Sequence, residues 1–352
     1  MLQSIRLQKF RSYADSSFEF EKGVNIIVGA NASGKTNLLE AILVLASGKS
    51  FRAKDSELVK FSAPWARLDG FFGAQERTAK LVVQNDKVLK SFSVDAKPFM
   101  RMSLDKTIPT VLFDPNHLQL VSRGPDFRRE YFDGILERTQ PGYKTLSGSY
   151  RRTLSQRNAL LKQDPSAAKK QLFAWNIRLS ELGAQIVQAR AALSGAINKT
   201  IATSYGKIAN KRTKVELVYE SPIDINNYSS RLLAKLEAAE QADFQRGFTA
   251  YGPHREDFML YLNKQPAQTS ASRGEVRSLV IALKIFELGL IEKLRAAKPI
   301  FLLDDVFSEL DAARRSHLVN YLKDHQTIIT TTDADAVVNY FAGSHALIPL
   351  EK

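Results

Sequence analysis

One short segment constrains this chain more than any other, because few folds can accommodate it. Gly29-Ala30-Asn31-Ala32-Ser33-Gly34-Lys35-Thr36 matches the phosphate-loop pattern G-x-x-x-x-G-K-[ST]. A short apolar run, Val24 to Val28, precedes the loop, and Leu38, Leu39, Ile42 and Leu45 recur behind it at helical spacing. A strand, a glycine loop and a helix over about residues 35 to 47 therefore follow in order. We expect an α/β fold in which this loop binds a nucleotide.

Each residue type in the loop has a physical reason to be there. The glycines let backbone amides curl around phosphate oxygens, and the start of the helix adds a positive dipole. Lys35 can reach the terminal phosphates, and the Thr36 hydroxyl can ligate Mg²⁺. The alternative interpretation is a tight strand-to-helix turn with an exposed lysine.

A second motif lies far along the chain and supports the same chemistry. Pro299 to Leu303 is an apolar run that ends in Asp304 and Asp305, and Gln326 to Thr330 is a similar run that ends in a threonine cluster. Both resemble buried parallel strands whose ends face a ligand crevice. A carboxylate at Asp304 would hold Mg²⁺, and Asp305 stands where a water-activating carboxylate is needed. The alternative interpretation is a capped strand end.

A third segment, Ser272-Arg273-Gly274-Glu275, opens an amphipathic helix predicted from about Arg273 to Leu294. Ser272 and Glu275 have the spacing of a capping box, so this tetrapeptide on its own could be nothing more than a helix start. Ser308-Glu309-Leu310-Asp311 follows the second carboxylate motif directly.

Composition indicates the kind of partner and the compartment. The 352 residues include 50 Lys+Arg and 37 Asp+Glu, a formal net charge of +13, which suits a polyanionic partner. Cysteine is absent, which rules out disulfides and thiolate metal sites and is compatible with a reducing cytoplasm. We find no apolar stretch of the roughly 18 residues that a membrane span needs, so we expect a cytoplasmic protein with no membrane partner.

The pattern of strands and helices predicts two lobes. Residues 1–115 and 245–352 should form the α/β head, and residues 116–244 an inserted, mainly helical lobe. Within that lobe, helices are predicted over Lys144 to Leu161 and over the long stretch from Ala167 to Ser204. Phe258 to Leu262 and the turn after it suggest a hairpin that belongs to the head.

Taken together, the phosphate motifs and the helix start resemble the ABC-type ATPases. Further segments are similar to the RecF family of bacterial recombination-repair proteins, which are relatives of the SMC proteins without their long coiled coil. The similarity covers essentially the whole chain in the right order. The segments that carry it are Lys49-Ser50-Phe51-Arg52-Ala53, Val111-Leu112-Phe113-Asp114-Pro115, Arg128-Arg129, Gln156-Arg157-Asn158, Gly252-Pro253-His254-Arg255-Glu256-Asp257, Ser272 to Glu275 and Leu303-Asp304-Asp305-Val306.

The resemblance implies roles for single residues. Gly29 to Thr36 would bind ATP, with Lys35 on the phosphates, and Thr36 and Asp304 would ligate Mg²⁺. Asp305 would be the general base, where most ABC relatives carry a Glu. Ser272, Arg273, Gly274 and Glu275 would act in trans on the γ-phosphate bound by a second copy of the chain. Arg52 is a candidate phosphate contact, and Thr332 lies in the threonine cluster where ABC relatives often carry a catalytic His.

The resemblance also implies partners and a biological role. It implies an ATP-dependent homodimer on duplex DNA near junctions between single and double strands, without sequence specificity, in the cytoplasm and at the nucleoid. RecO and RecR would be partners in loading RecA and in SOS induction. ATP hydrolysis would be slow, stimulated by DNA, and would act as a switch.

Three other functions would use part of the same pattern. An ATPase subunit of a transporter shares both phosphate motifs but would pair with membrane helices. A phosphate-loop kinase or other metabolic enzyme would have no use for the segments at Ser272 or Ser308. A DNA-binding scaffold with a degenerate nucleotide pocket would not need Lys35, Thr36, Asp304 and Asp305 intact.

Overall fold

Two β-sheets with different hydrogen-bonding patterns surround the glycine loop in the computed structural model, which describes residues 1–85, 87–341 and 345–350. The strands, in chain order, are β1 (Leu2–Phe10), β2 (Tyr13–Glu19), β3 (Val24–Val28), β4 (Trp65–Phe72), β5 (Gln75–Gln84), β6 (Lys87–Val94), β7 (Lys97–Phe99), β8 (Thr110–Phe113), β9 (Val215–Glu220), β10 (Asp257–Leu262), β11 (Gln265–Pro266), β12 (Ile300–Asp304), β13 (Thr327–Thr331) and β14 (His345–Pro349).

The α-helices, in chain order, are α1 (Lys35–Ser47), α2 (Asp55–Leu58), α3 (Pro125–Thr139), α4 (Tyr143–Leu160), α5 (Pro165–Asn198), α6 (Ile201–Ala209), α7 (Tyr228–Ala238), α8 (Glu240–Arg246), α9 (Ala267–Ser270), α10 (Arg273–Arg295), α11 (Ala312–Leu322) and α12 (Asp335–Val338). Short 3₁₀-helices cover Leu104–Lys106, Pro115–Gln119, Ile225–Asn227 and Val306–Glu309. None of the helices in the described part of the chain is both long and apolar enough to cross a bilayer.

The chain divides into two compact units, each held together by contacts among its own residues. The first unit consists of Met1–Leu118 with Glu287–Lys352, and the second of Gln119–Phe286. The first unit contains a parallel sheet of order β14-β3-β13-β12-β8 and an antiparallel sheet of order β2-β1-β4-β5-β6-β7. Both phosphate motifs therefore belong to the first unit, at the ends of β3 and β12.

The core of the first unit forms where the sequence predicts apolar faces. Leu38, Leu39, Ile42 and Leu45 of α1 are fully buried, in one cluster with side chains from both sheets. Strands β12 and β13 are buried along their whole length, as expected for parallel strands covered on both faces. The predictions of strand, loop, helix and paired parallel strands around the site are confirmed.

The second unit differs from the predicted lobe at its C-terminal limit. The first boundary, predicted at residue 116, lies at 119, but the second lies at 287 instead of 245. The reason is that β10 pairs antiparallel with β9, so the hairpin at Phe258 to Leu262 is tied to the helical residues. An ion pair of 2.6 Å between Arg128 of α3 and Asp257 ties the same strand down further. Helix α10 begins in the second unit and ends in the first.

Two details inside the second unit also differ from the sequence interpretation. Strand β9 lies in a region predicted to be mainly helical. The long helix predicted from Ala167 to Ser204 is two helices, α5 and α6, with a break at Lys199 and Thr200. Helix α5 begins at Pro165 behind Asp164, whose carboxylate accepts a hydrogen bond of 2.9 Å from the Ser166 amide.

Candidate nucleotide-binding site

The loop between β3 and α1 depends on glycine at its last position before the helix. Gly34 has a φ of 106°, in the left-handed region that favours glycine. A Cβ atom there would also lie 2.9 Å from the Tyr13 hydroxyl oxygen. That hydroxyl donates a 3.1 Å hydrogen bond to the Gly34 carbonyl, so strand β2 supports the turn. The loop is therefore held in a tight turn at Gly34. Because Gly34 has no side chain, the first amides of α1 stay open there.

Lys35, the first residue of α1, lies along this loop. Its Nζ donates to the carbonyl oxygens of Gly29 at 2.7 Å and of Ala30 at 2.9 Å, and the residue is only 6% exposed. Because carbonyl oxygens carry no formal charge, these contacts orient the ammonium group without neutralising it. A buried ammonium group needs a negative partner, and a phosphate group supplies one.

Ser33 gives a second indication that the loop is shaped for a ligand. Its hydroxyl oxygen is buried and has no hydrogen-bond partner among the residues that the structure describes. A Cβ atom at Gly29 would approach that oxygen to 2.4 Å, so glycine is required beside it. Buried hydroxyl groups are normally hydrogen-bonded, and an unsatisfied one in a loop of this type fits a phosphate oxygen.

The two phosphate motifs meet at a single carboxylate. The Thr36 hydroxyl donates to Asp304 Oδ1 at 2.9 Å, and the Thr330 hydroxyl donates to the same oxygen at 2.8 Å. Burial raises the pKa of Asp304, although both hydrogen bonds act in the opposite direction. A divalent cation would favour the charged form of this group. No group of three or more His, Asp or Glu able to hold a metal occurs in the described residues. A hydroxyl and a carboxylate fit Mg²⁺, which usually has few protein ligands and takes its other oxygens from water and phosphate.

Asp305 follows directly, in a left-handed backbone conformation with a φ of 55°. Its amide donates to the Thr330 hydroxyl at 3.0 Å, so one threonine contacts the Asp304 carboxylate and the backbone of Asp305. Asp305 is partly exposed, as a base that takes a proton from water must be. The structure thus brings Asp305 next to the predicted metal ligand.

The threonine that contacts the Asp304 carboxylate is Thr330, and not Thr332, to which the resemblance assigns the catalytic position. Asp304 is paired with Thr330 in the parallel register of β12 and β13. Thr332 lies beyond the end of β13 and is exposed. The sequence shows the threonine cluster but not the register, and the register decides which hydroxyl reaches Asp304. A catalytic role for Thr332 stays a prediction.

Arg52 lies beside α1 in the same unit. Its Nη2 donates to Asn37 Oδ1 at 2.6 Å and lies 3.4 Å from Glu40 Oε2. The structure therefore places Arg52 against the residue that follows Thr36, which is compatible with the predicted contact to phosphate.

The segment from Ser272 to Glu275 lies in the second unit and has the predicted capping box. The Ser272 amide donates to Glu275 Oε2 at 2.9 Å, and the Glu275 amide donates to the Ser272 hydroxyl at 3.3 Å. The hydrogen bond from the Ser272 amide is the main reason that the pKa of Glu275 is lowered. Ser272 and Arg273 are exposed, so the helix start is accessible. Their action on a nucleotide held by a second copy stays a prediction.

The chain that carries this site matches a known protein family and many of its members. A family model described as the RecF/RecN/SMC N-terminal domain matches residues 1–344. A protein of Geobacter metallireducens named DNA replication and repair protein RecF is 34% identical over 351 residues, covering 97% of this chain and 95% of the relative. One of the same name from a Synechococcus strain is 35% identical, covering 94% of this chain and 91% of the relative.

Solved structures agree with the sequence matches. A structure of the recombination mediator protein RecF with ATP, from the RecFOR pathway, superposes with a TM-score of 0.83 at 32% identity and covers 94% of this chain and 92% of that one. An SMC head bound to a winged-helix domain of ScpA superposes with a TM-score of 0.53 at 16% identity, covering 96% and 92%, which shows a shared fold.

Proposed function

Because the chain belongs to the RecF/RecN/SMC N-terminal-domain family, we propose that it is an ATP-binding protein of DNA repair and replication, of the RecF type. Relatives more than 30% identical over nearly the whole chain bear that name, and one similar structure holds ATP. Slow ATP hydrolysis, stimulated by DNA, serves it as a switch for recombinational repair.

The observation that carries the proposal is the shared hydrogen bonding at Asp304. Thr36 of the phosphate loop and Thr330 of β13 both donate to one carboxylate oxygen, at 2.9 Å and 2.8 Å. The parallel pairing of β3, β13 and β12 thus brings oxygen ligands from segments far apart in sequence together beside the phosphate loop. A degenerate nucleotide pocket would not need this arrangement.

Each residue of the site has a separate role in the proposed hydrolysis of ATP. Lys35 and the loop amides bind and orient the triphosphate, and Thr36 with Asp304 would hold Mg²⁺. When bound, Mg²⁺ neutralises charge on the phosphate oxygens. Asp305 accepts a proton from the water that attacks the γ-phosphorus, and the bond to the ADP oxygen breaks. Because Asp is one methylene shorter than the Glu common in ABC relatives, its carboxylate reaches the water less well, and turnover is slow.

A second copy of the chain completes the site. Ser272, Arg273, Gly274 and Glu275 form a helix start at which Ser272 and Arg273 are exposed, so that the Arg273 cation and the positive end of the helix dipole face an anion. Facing the γ-phosphate held by the other copy, they make dimerisation depend on ATP. Hydrolysis removes that phosphate and releases the dimer.

The proposed partner of the dimer is duplex DNA near junctions with single strands, bound without sequence preference. The net charge of +13 provides the attraction to DNA phosphates. By resemblance, RecO and RecR act with the protein to load RecA onto gapped DNA and to support SOS induction. The protein works in the cytoplasm, at the nucleoid when bound to DNA.

Sedimentation of the full chain tests the proposal. The wild-type protein is compared with ATP, with ADP and without nucleotide, each with and without gapped DNA, and Lys35→Ala serves as the control that lacks the phosphate contact. We expect a dimer with ATP only, and DNA association of that dimer. A chain that binds ATP but stays monomeric under all conditions would overturn the switch, and a chain that does not bind ATP would overturn the whole proposal.

A further inference from the structure

A fully buried carboxylate beside the phosphate loop has no role in the function described so far. Glu40 lies on α1 one helical turn after Thr36, so the two residues share a face of the helix. Its side chain has no exposed surface. Burying a carboxylate is costly unless charged partners satisfy it, so the partners of Glu40 indicate its purpose.

Four hydrogen bonds from three residues surround this carboxylate. Arg11 donates through Nε to Oε2 at 2.7 Å and through Nη2 to Oε1 at 3.0 Å. The Ser50 hydroxyl donates to Oε1 at 2.5 Å, and Arg52 Nη2 donates to Oε2 at 3.4 Å. Burial disfavours the charged form, but the hydrogen bonds from Arg11 and Ser50 and the charges of both arginines outweigh it and lower the pKa of Glu40. Glu40 is therefore a stable anion.

The two arginines come from separate segments of the first unit, which backbone hydrogen bonds also hold together, since the Arg11 amide donates to the Leu58 carbonyl oxygen at 2.9 Å. Arg11 lies in the turn between β1 and β2, with a φ of 52°, and Arg52 lies in the loop after α1. Their side chains are 19% and 37% exposed, so each retains a face toward solvent. Two guanidinium groups repel one another, and the carboxylate between them allows both to stay at this edge of α1. The three groups together carry a charge of +1.

That positive charge lies beside the first turns of α1, which follow the phosphate loop. Arg52 Nη2 also donates to Asn37 Oδ1 at 2.6 Å, and Asn37 follows Thr36 directly. Asn37 and Glu40, which both contact Arg52, lie within one helical turn of Thr36, whose hydroxyl donates to Asp304 at 2.9 Å. Arg52 therefore lies beside the helical turn that carries the threonine assigned to the metal.

We infer that Glu40 is a positioning residue that holds Arg11 and Arg52 as a preformed cationic edge for the triphosphate of the bound nucleotide. The inference deepens the proposed function and rests on it. Without the Glu40 charge, Arg11 loses the charged partner of both its hydrogen bonds and turns toward solvent, and Arg52 loses its charged partner but keeps the hydrogen bond to Asn37. A nucleotide with three phosphate groups, which needs the most positive charge, is affected most.

Equilibrium binding of a fluorescent ATP analogue and of AMP to the full chain tests the inference. We expect Glu40→Gln, which keeps the size of the side chain and removes its charge, to weaken binding of the ATP analogue at least tenfold and of AMP less than threefold. Glu40→Asp, which keeps the charge, should recover part of the loss. Glu19→Gln removes an exposed carboxylate of the same unit and should bind both nucleotides like the wild type.

A double-mutant cycle with Arg52→Ala separates positioning from a general structural effect. If Glu40 acts through the arginines, the tenfold effect of Glu40→Gln should shrink to threefold or less in the Arg52→Ala background. An equal effect in both backgrounds would overturn the inference. So would a Glu40→Gln protein that binds the analogue as tightly as the wild type. If thermal unfolding shows that Glu40→Gln does not fold, Glu40→Asp takes its place in the double-mutant cycle. The inference then fails if Glu40→Asp changes binding of the ATP analogue equally in both backgrounds.

The two proposals can fail separately. If the wild-type protein does not bind the ATP analogue, the proposed function fails. If the wild type binds it and all Glu40 variants bind equally well, only the assignment to Glu40 is wrong.

Discussion

At the scale of single residues, Asp305 offers the sharpest test of the chemistry. Replacing it by Asn keeps the size of the side chain but removes its ability to accept a proton. We expect Asp305→Asn to slow phosphate release at least about 100-fold, a typical contribution of a general base, while ATP still binds. The ATP-bound dimer should therefore accumulate, which sedimentation with ATP measures.

Asp324→Asn is the matched control for this prediction, because Asp324 is an exposed carboxylate of the same unit. It should release phosphate at the rate of the wild type. Unchanged turnover in Asp305→Asn would remove Asp305 from the role of base.

His254 in the second unit is a residue whose charge affects folding. Its Nε2 lies 3.1 Å from the Thr249 carbonyl oxygen, which can only accept, so Nδ1 is the acceptor for the Tyr150 hydroxyl at 2.7 Å. Burial lowers the pKa of His254 from 6.5 to about 4, because the charged form would lose its hydration. The neutral ring is therefore the form that fits the folded unit.

The pH dependence of stability follows from that shift. The unfolded chain binds a proton at His254 near pH 6.5 and the folded chain only near pH 4, so acid favours the unfolded state between these values. We expect the contribution of His254, about 3 kcal/mol, to be present above pH 6.5 and lost as the pH falls toward 4. Denaturant unfolding of the wild type and of His254→Gln at several pH values measures it. Parallel pH profiles for the two proteins would contradict the assignment.

At the scale of elements, the start of α10 can be tested for two roles at once. Ser272→Ala removes the cap, and we expect a loss of about 1 kcal/mol in the free energy of unfolding. Ser272→Asp keeps a capping side chain but adds a negative charge where we place the γ-phosphate of the second copy. It should fold with at most a modest loss of stability, because the new carboxylate lies beside that of Glu275, and yet fail to dimerise with ATP. A Ser272→Asp chain that dimerises normally would show that this helix start does not face the nucleotide.

The elements that local sequence determines are those that could be predicted. Strand β3, the glycine loop and α1 follow each other without interruption, and each has its own periodicity and turn residues. Their bounds agree with the predicted ones. Strand β9 could not be predicted from the sequence, because its apolar alternation is short and its partner β10 lies about 40 residues further along the chain. Because of the same pairing, residues 245–286 belong to the second unit and not to the predicted head.

The site shows the same division between local and long-range information. The phosphate loop and Asp304 could be found by pattern, since each motif is contiguous. Thr330 and Glu40 could not, because their importance comes from which atoms they contact across the fold. Thr330 is selected by the register of β13 against β12, and Glu40 by two arginines from other segments.

At the scale of the whole molecule, the basic surplus predicts how DNA binding responds to salt. Each Lys or Arg that contacts a DNA phosphate releases a condensed counterion, so the logarithm of the binding constant falls linearly with the logarithm of the salt concentration. The net charge of +13 and the absence of a base-reading motif in the sequence favour backbone contacts. Two gapped DNAs of unrelated sequence should therefore bind within about threefold of each other.

ATP should change both the strength and the salt dependence of that binding. In a dimer closed by ATP, the basic residues of two copies can contact one DNA. The logarithm of the binding constant should therefore fall more steeply with the logarithm of the salt concentration than it does for the monomer. We expect ATP to tighten binding to gapped duplex at least about tenfold near 0.1 M salt, measured by fluorescence anisotropy across a salt series. Lys35→Ala retains the surface charge elsewhere. Its DNA binding should therefore show the weaker salt dependence of the monomer with or without ATP. If the wild-type slope and affinity are the same with and without ATP, the protein binds DNA through its charge alone, and nucleotide binding and DNA binding are separate properties of the chain.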